Sequence, residues 1–151
     1  MFDDIKKNTF TKNEINALEH RVRKLPLLEH LSAEFKAYEN GCVEVVLNEI
    51  HPIHLGGIEG KFINGPTLLS MIDCASVTPA MLHYRGAKCA TIEITVRFMR
   101  PVGNHYFKVV GYVVEKRQRL AYVKAKVLDK NNAVLVSADG IISLVGKNND
   151  I

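Results

Sequence analysis

Hydrophobic positions along the chain change period several times. From Thr11 to Leu25 the apolar residues Ile15, Leu18, Val22 and Leu25 recur at spacings of three and four, and Thr11-x-x-Glu14 stands where a capping box opens a helix. An amphipathic helix ending near Pro26 is predicted, its charged face solvated. Over Ala33, Phe35 and Ala37 the period falls to two. It stays at two over Val43, Val45 and Leu47, with Asn40-Gly41 between as a two-residue hairpin signal. Residues 51–62, HPIHLGGIEGKF, read as a loop rich in Gly and His.

The next stretch, FINGPTLLSMIDCASVT, carries no clear polar face. Asn64 reads as an N-cap, with Pro66 in the first helical turn where its missing N–H does no harm. The helix should run to about Thr78 or beyond, with Pro79 ending or kinking it and the residues to His83 left open. Four strand-like runs follow. In ATIEITVRFM, Ile92, Ile94, Val96 and Phe98 alternate with Thr91, Glu93, Thr95 and Arg97; then come HYFKVVGYVVEK, RLAYVKAKVLD and VLVSADGIISLV. A helix apolar on almost every side must be covered all round. The expected arrangement is therefore α+β, a curved antiparallel sheet wrapped about the central helix, with further cover from a partner.

Length and composition narrow this picture. A chain of 151 residues is expected to form one domain. No apolar run approaches the roughly 20 residues that span a bilayer. The polar start, MFDDIKKNTF, resembles neither a secretory signal nor a transit peptide. Cys42, Cys74 and Cys89 show no metal or redox spacing, which points to reduced thiols and a cytoplasmic address. The net charge of +4 is uneven: Arg85 to Lys126 carries +8 and the remainder −4. A basic half suits an anionic partner or is a solvated strand face. It contains no nucleic-acid module, and its aromatic and basic residues are not interleaved as in single-strand binders.

One residue in the central helix invites chemistry. Asp73 lies among Leu68, Leu69, Met71, Ile72, Ala75 and Val77, and a carboxylate in such surroundings is either prepared as a general base or hydrogen-bonded to a nearby hydroxyl or amide. At the helix start, the Gly65 N–H has no intrahelical acceptor and sits at the positive end of the dipole, where it can polarise a carbonyl. Asn64 is either part of that site or a cap alone. Gly65 and Asp73 are eight residues apart, about 12 Å along a helix. A reacting carbonyl needs donor and base within about 3 Å, so one helix cannot supply both. Two antiparallel copies across a two-fold axis can. His51 and His54 are expected as exposed loop histidines without a metal-ligand pattern, and Cys74 as a small buried residue rather than a nucleophile. No P-loop, dinucleotide-binding glycine pattern or serine-hydrolase elbow occurs.

Taken together, NGPTLLSMIDCA, TIEITVRFMRPV and AYVKAKVLDKNNAVLVSADGIISLV resemble the hotdog-fold acyl-CoA thioesterases, in particular the phenylacetate-degradation type that includes thioesterase superfamily member 2. The likeness covers about residues 33 to 145. It implies a hotdog domain over residues 32–146, after an N-terminal segment and helix at 1–31 and before a flexible tail at 147–151. Laid on this sequence, the family's His-Gly-Gly falls on Asn64, Gly65 and Pro66, and its helix acid on Asp73. The resemblance implies that Asp73 activates water or attacks the thioester directly, and that Gly65 N–H of the other subunit polarises the carbonyl. A strand hydroxyl that helps place the water falls on Thr91. The loop asparagine of most members is missing from HLGGIEG. Coenzyme A would arrive as part of the substrate, with no metal or other cofactor, and Arg97, Arg100, Lys116, Arg117 and Arg119 are candidates for its phosphates. The implied assembly is a homodimer or a dimer of dimers, without nucleic-acid or membrane partners. The alternative is a non-catalytic hotdog module that binds acyl-CoA or another apolar ligand. A hydratase would pair Asp73 with a histidine, and the nearest downstream is His83, ten residues on.

Overall fold

The structure is a computed structural model describing residues 9–146; the expected leading residues and the 147–151 tail lie outside the described residues. Helix α1 (Lys12–Val22) opens on the predicted capping box. Thr11 Oγ1 accepts the Glu14 N–H at 3.3 Å, and the Glu14 carboxylate accepts the Thr11 N–H at 2.9 Å. Its apolar stripe, Ile15, Leu18 and Val22, is buried against the main core. Pro26 does not simply end this helix. It begins a second short one, α2 (Pro26–His30), at a position where proline needs no N–H.

Strands β1 (Ala33–Ala37) and β2 (Val43–Leu47) pair as expected, but the connection differs from the predicted two-residue turn. The Gly41 N–H bonds the Tyr38 carbonyl and the Tyr38 N–H bonds the Cys42 carbonyl, both at 2.9 Å. This closes a three-residue loop in which Gly41 alone takes a positive φ, +84°. Such a loop needs one left-handed residue where a two-residue type I′ turn needs two, so Asn40 stays in ordinary conformation. Residues 51–62 are also more ordered than a loop. They form 3₁₀ turns at Pro52–His54 and Ile58–Gly60 and a small hairpin, β3 (Leu55–Gly56) with β4 (Phe62–Ile63).

Among the described residues, six strands make one antiparallel sheet in the order β1-β2-β6-β7-β8-β5, where β5 is Cys89–Phe98, β6 Phe107–Lys116, β7 Leu120–Asp129 and β8 Val134–Leu144. Three register shifts interrupt it, one between Val113 and Glu115 in β6, one between Thr91 and Glu93 in β5 and one opposite Val127 and Leu128, where Leu135 of β8 is the extra residue. The first two lie on neighbouring rungs, since Glu115 pairs with Tyr122, Tyr122 with Ile141 and Ile141 with Glu93. Bulges increase local twist, so this row bends the sheet. The β1 edge is guarded from α1, where Glu19 Oε1 accepts the Ala37 N–H at 2.9 Å. The β5 edge is ten residues long, with Ile92, Phe98 and the following Met99 exposed.

Helix α3 (Gly65–His83) crosses the inner face of the sheet, burying Leu68, Met71, Ile72 and Ala75. It runs on through Pro79, which therefore does not end it, to His83. Proline has no N–H for the Ala75 carbonyl four residues back, and its ring crowds that carbonyl. The adjoining strand leaves room, because Gly111 of β6 sits directly against it. A methyl built on Gly111 would lie 1.7 Å from the Ala75 oxygen.

Candidate active site

The central helix is not covered all round. Pro66, Leu69 and Asp73 are exposed and Ser70 and Val77 half-buried, a strip at helical spacing that the sheet and α1 leave open in the single chain. Asp73 therefore stands on an open face, not inside the apolar envelope its sequence neighbours suggested. Those neighbours, Leu68, Met71, Ile72 and Ala75, point into the sheet.

Asp73 has one hydroxyl partner. Thr91 Oγ1 donates to Asp73 Oδ1 at 2.7 Å, linking β5 to α3. Strict alternation would put Thr91 with Glu93, Thr95 and Arg97 on the face away from the helix. The extra residue at Ile92 reverses this. Glu93 pairs with Ile141, Thr91 pairs with the fully buried Ile142, and Thr91 turns inward. Ile92 itself is left 59% exposed.

At the other end of the exposed strip, the helix start is tightly built. Asn64 Oδ1 accepts the Thr67 N–H at 2.8 Å, and the Asn64 carbonyl accepts the Leu68 N–H at 3.2 Å. Pro66 has no N–H, so the Gly65 amide is the free donor of the first turn. A Cβ built on Gly65 would meet nothing within 4 Å, so a ligand can approach closely. The Asn64 backbone N–H bonds the His54 carbonyl at 2.8 Å, while Nδ2 donates to the Ile53 carbonyl at 2.7 Å and more weakly to Leu55 at 3.4 Å.

The two loop histidines differ from expectation and from each other. His51 is half-buried, with Nε2 3.6 Å from the Glu49 carboxylate. His54 is fully buried and its Nδ1 accepts the His51 N–H at 3.0 Å. No periodic signal marks it; a His three residues after another, with a proline between, is all the sequence offers. Cys74 is buried, and burial, with the Asp73 charge second, pushes its thiol up to about 12, so it stays protonated at neutral pH. His83 lies at the far end of α3 with its ring edge against Phe10, centroids 4.9 Å apart, and not beside Asp73. Among the described residues no group of three or more His, Cys, Asp or Glu side chains could hold a metal ion.

The basic candidates do not gather in one patch of the chain. Arg97 lies on the outer face, 2.6 Å from Asp139, and Arg100 follows the end of β5. Lys116, Arg117 and Arg119 cluster at the β6–β7 turn. There Lys116 stacks over the Tyr84 ring at 4.9 Å and Arg117 pairs with Glu115 at 2.9 Å.

Among solved structures the chain is similar to the Escherichia coli PaaI protein from the phenylacetic acid degradation operon, 14% identical with a TM-score of 0.78 over 89% of this chain and 95% of that one. It is similar to a Haemophilus influenzae thioesterase, 13% identical with a TM-score of 0.76 over 97% and 99% of the two chains. It is also similar to zebra fish thioesterase superfamily member 2, 16% identical with a TM-score of 0.72 over 91% and 100%. At these identities the likeness is one of fold, the α+β hotdog arrangement of a sheet around a central helix with an N-terminal helix added. No curated protein matches the sequence. The family model of the thioesterase superfamily matches residues 60–136, just over half of the chain and the stretch that holds Asn64, Gly65, Asp73 and Thr91. The chain belongs to the thioesterase superfamily.

Proposed function

We propose that the protein hydrolyses acyl-CoA or related thioesters at a site shared by two copies of the chain. Membership of the superfamily supports thioester hydrolysis in general. The observation that carries the specific reading is Asp73, open on the helix and held by Thr91 at 2.7 Å. Asp73 takes a proton from water as the water oxygen attacks the thioester carbonyl carbon. The carbonyl electrons move onto oxygen, where Gly65 N–H of the other copy holds the charge. The intermediate then collapses, the C–S bond breaks, and the coenzyme A thiolate leaves and regains a proton. In the variant mechanism Asp73 attacks the carbonyl itself, and water hydrolyses the resulting anhydride. No metal or redox cofactor enters either route; coenzyme A is part of the substrate.

The shared site follows from length: eight residues of helix hold Gly65 and Asp73 about 12 Å apart within one chain. The exposed strip on α3 and the open β5 edge supply a surface for a homodimer, or for a dimer of dimers. Residues 32–146 then form the hotdog domain, with residues 1–31 as an added segment. No described helix is long and apolar enough to cross a membrane, and we place the protein in the cytoplasm, where its three unpaired cysteines stay reduced.

The experiment is a panel of aryl-acetyl, medium-chain and long-chain acyl-CoAs assayed for free-thiol release, with Asp73→Asn as control. A second reading has one specific observation in its favour. Pro66 removes a donor and Asn64 spends the Thr67 N–H, so a single amide faces the ligand. A module that binds acyl-CoA without turnover needs no more. Saturable binding in a calorimeter with no thiol release on any of the panel would favour it.

A further inference from the structure

His54 makes no approach to the exposed strip, yet it is fully buried with one ring nitrogen unpaired. Its Nδ1 accepts the His51 N–H, so the neutral ring carries its proton on Nε2. That N–H has no aligned acceptor; the Leu31 carbonyl is near enough to favour a proton on the ring but makes no hydrogen bond. Burial lowers the pKa of His54, and His51 and His30 act in the same direction. A buried donor left unpaired is unfavourable, and the Nδ1 bond gives the ring a reason to stay.

That bond braces the 51–54 turn, which the His54 N–H also closes on the His51 carbonyl at 2.9 Å. The turn and the residue after it then present three consecutive carbonyls, Ile53, His54 and Leu55, to one side chain and one amide of Asn64. Asn64 Oδ1 is spent on Thr67, its carbonyl on Leu68, and its Cβ packs on Gly56, where an added methyl would come within 2.8 Å. Every polar group of Asn64 is thus fixed, and the next N–H along the chain is that of Gly65.

We infer that His54 is a positioning residue: by bracing the turn that clamps Asn64 with a second, side-chain bond, it aims the Gly65 amide at the thioester carbonyl. The consequence for turnover rests on the proposed thioesterase reading, whereas the geometry of the Gly65 amide does not. The test uses the full-length protein and three variants. His54→Phe fills the space without an acceptor, His54→Asn returns an acceptor at the Nδ1 position through Oδ1, and Asn64→Ser keeps a helix cap but loses the Nδ2 bonds.

The Gly65 amide resonance and its hydrogen exchange are read in each, together with kcat and KM for the best acyl-CoA of the panel. In His54→Phe and in Asn64→Ser the Gly65 signal should shift and exchange faster, and kcat should fall about ten- to hundredfold with KM little changed, the size of effect expected from a misplaced group. His54→Asn should recover most of both. The double variant His54→Phe/Asn64→Ser should lose no more than either single one, because both break the same clamp. An unmoved Gly65 amide in the single variants, or losses that multiply in the double, would overturn the inference. Should His54→Phe fail to fold, Asn64→Ser and His54→Asn decide: an unmoved Gly65 amide in the first, or a fully displaced one in the second, overturns it. A Gly65 amide that responds as described in a protein that hydrolyses none of the panel keeps the positioning role and removes the thioesterase reading.

Discussion

Thr91 reaches Asp73 across the gap between β5 and α3, hydroxyl to carboxylate at 2.7 Å. The contact joins an edge strand to the open side of the central helix, and a single extra residue, Ile92, makes it possible. A hydroxyl bound to one carboxylate oxygen orients the carboxylate and leaves the other oxygen free for water.

Asp73→Asn should leave the fold intact, since the side chain is exposed in the chain and asparagine can still accept from Thr91. Thioester hydrolysis should fall about 10²–10⁴-fold, the usual worth of a positioned general base. Equal rates of thiol release from wild type and variant across the panel would remove Asp73 from the mechanism.

The bulge offers a sharper test. Deleting Ile92 removes the extra residue and leaves Thr91 opposite Ile142 and Glu93 opposite Ile141, so Thr91 should still face the helix. Hydrolysis should therefore fall less than in Thr91→Val, which removes the hydroxyl. Circular dichroism must show a folded protein in both. A deletion variant no more active than Thr91→Val would contradict the inward setting that the register gives Thr91.

Gly111→Ala should destabilise the protein by about 3 kcal/mol, the upper end of what overpacking costs in a filled core. The clash is with backbone, at 1.7 Å from the Ala75 oxygen, and neither partner is a flexible side chain. Urea denaturation of the variant against wild type measures it; a shift indistinguishable from zero would mean that the helix can move away from the strand.

His83 makes stability depend on acid. Burial first, and the Lys116 charge second, lower its pKa from 6.5 to about 4. The folded state therefore holds fewer protons than the unfolded one between these values. The contribution is complete above about 6.5 and is lost as pH falls towards about 4. Urea midpoints measured across that window should fall more steeply for wild type than for His83→Gln, whose difference from wild type cancels the carboxylates common to both. Parallel curves would show that His83 titrates normally.

Much of this architecture is legible in the order of residues. The capping box at Thr11 and Glu14, the alternation in β1 and β2, and the N-cap at Asn64 are local patterns, and local patterns survive folding. What escaped the sequence depends on tertiary partners. Pro79 reads as a stop because only the fold puts a glycine opposite the crowded carbonyl. Asn40-Gly41 reads as a tight turn because composition does not distinguish a two-residue loop from a three-residue one. The inward turn of Thr91 rests on a bulge that breaks no hydrophobic pattern, since Ile92 fits the alternation as well as any other residue. Asp73 was recognisable as an oddity, but its exposure was not, because the sequence does not say which side of the helix the sheet leaves bare.

The meeting of Gly111 with the Ala75 carbonyl has a consequence two residues away. Backbone against backbone is a depth stop: the helix cannot advance along its axis by one residue, about 1.5 Å, without driving a side chain into the strand. The longitudinal setting of Asp73 is therefore decided by the sheet, not by the loops at either end of the helix. When two such chains face each other, the distance from one aspartate to the opposite glycine inherits the tolerance of two rigid cores. The 99–106 loop is then free to vary without detuning that spacing, whereas the 51–55 segment, bonded to Asn64, is not.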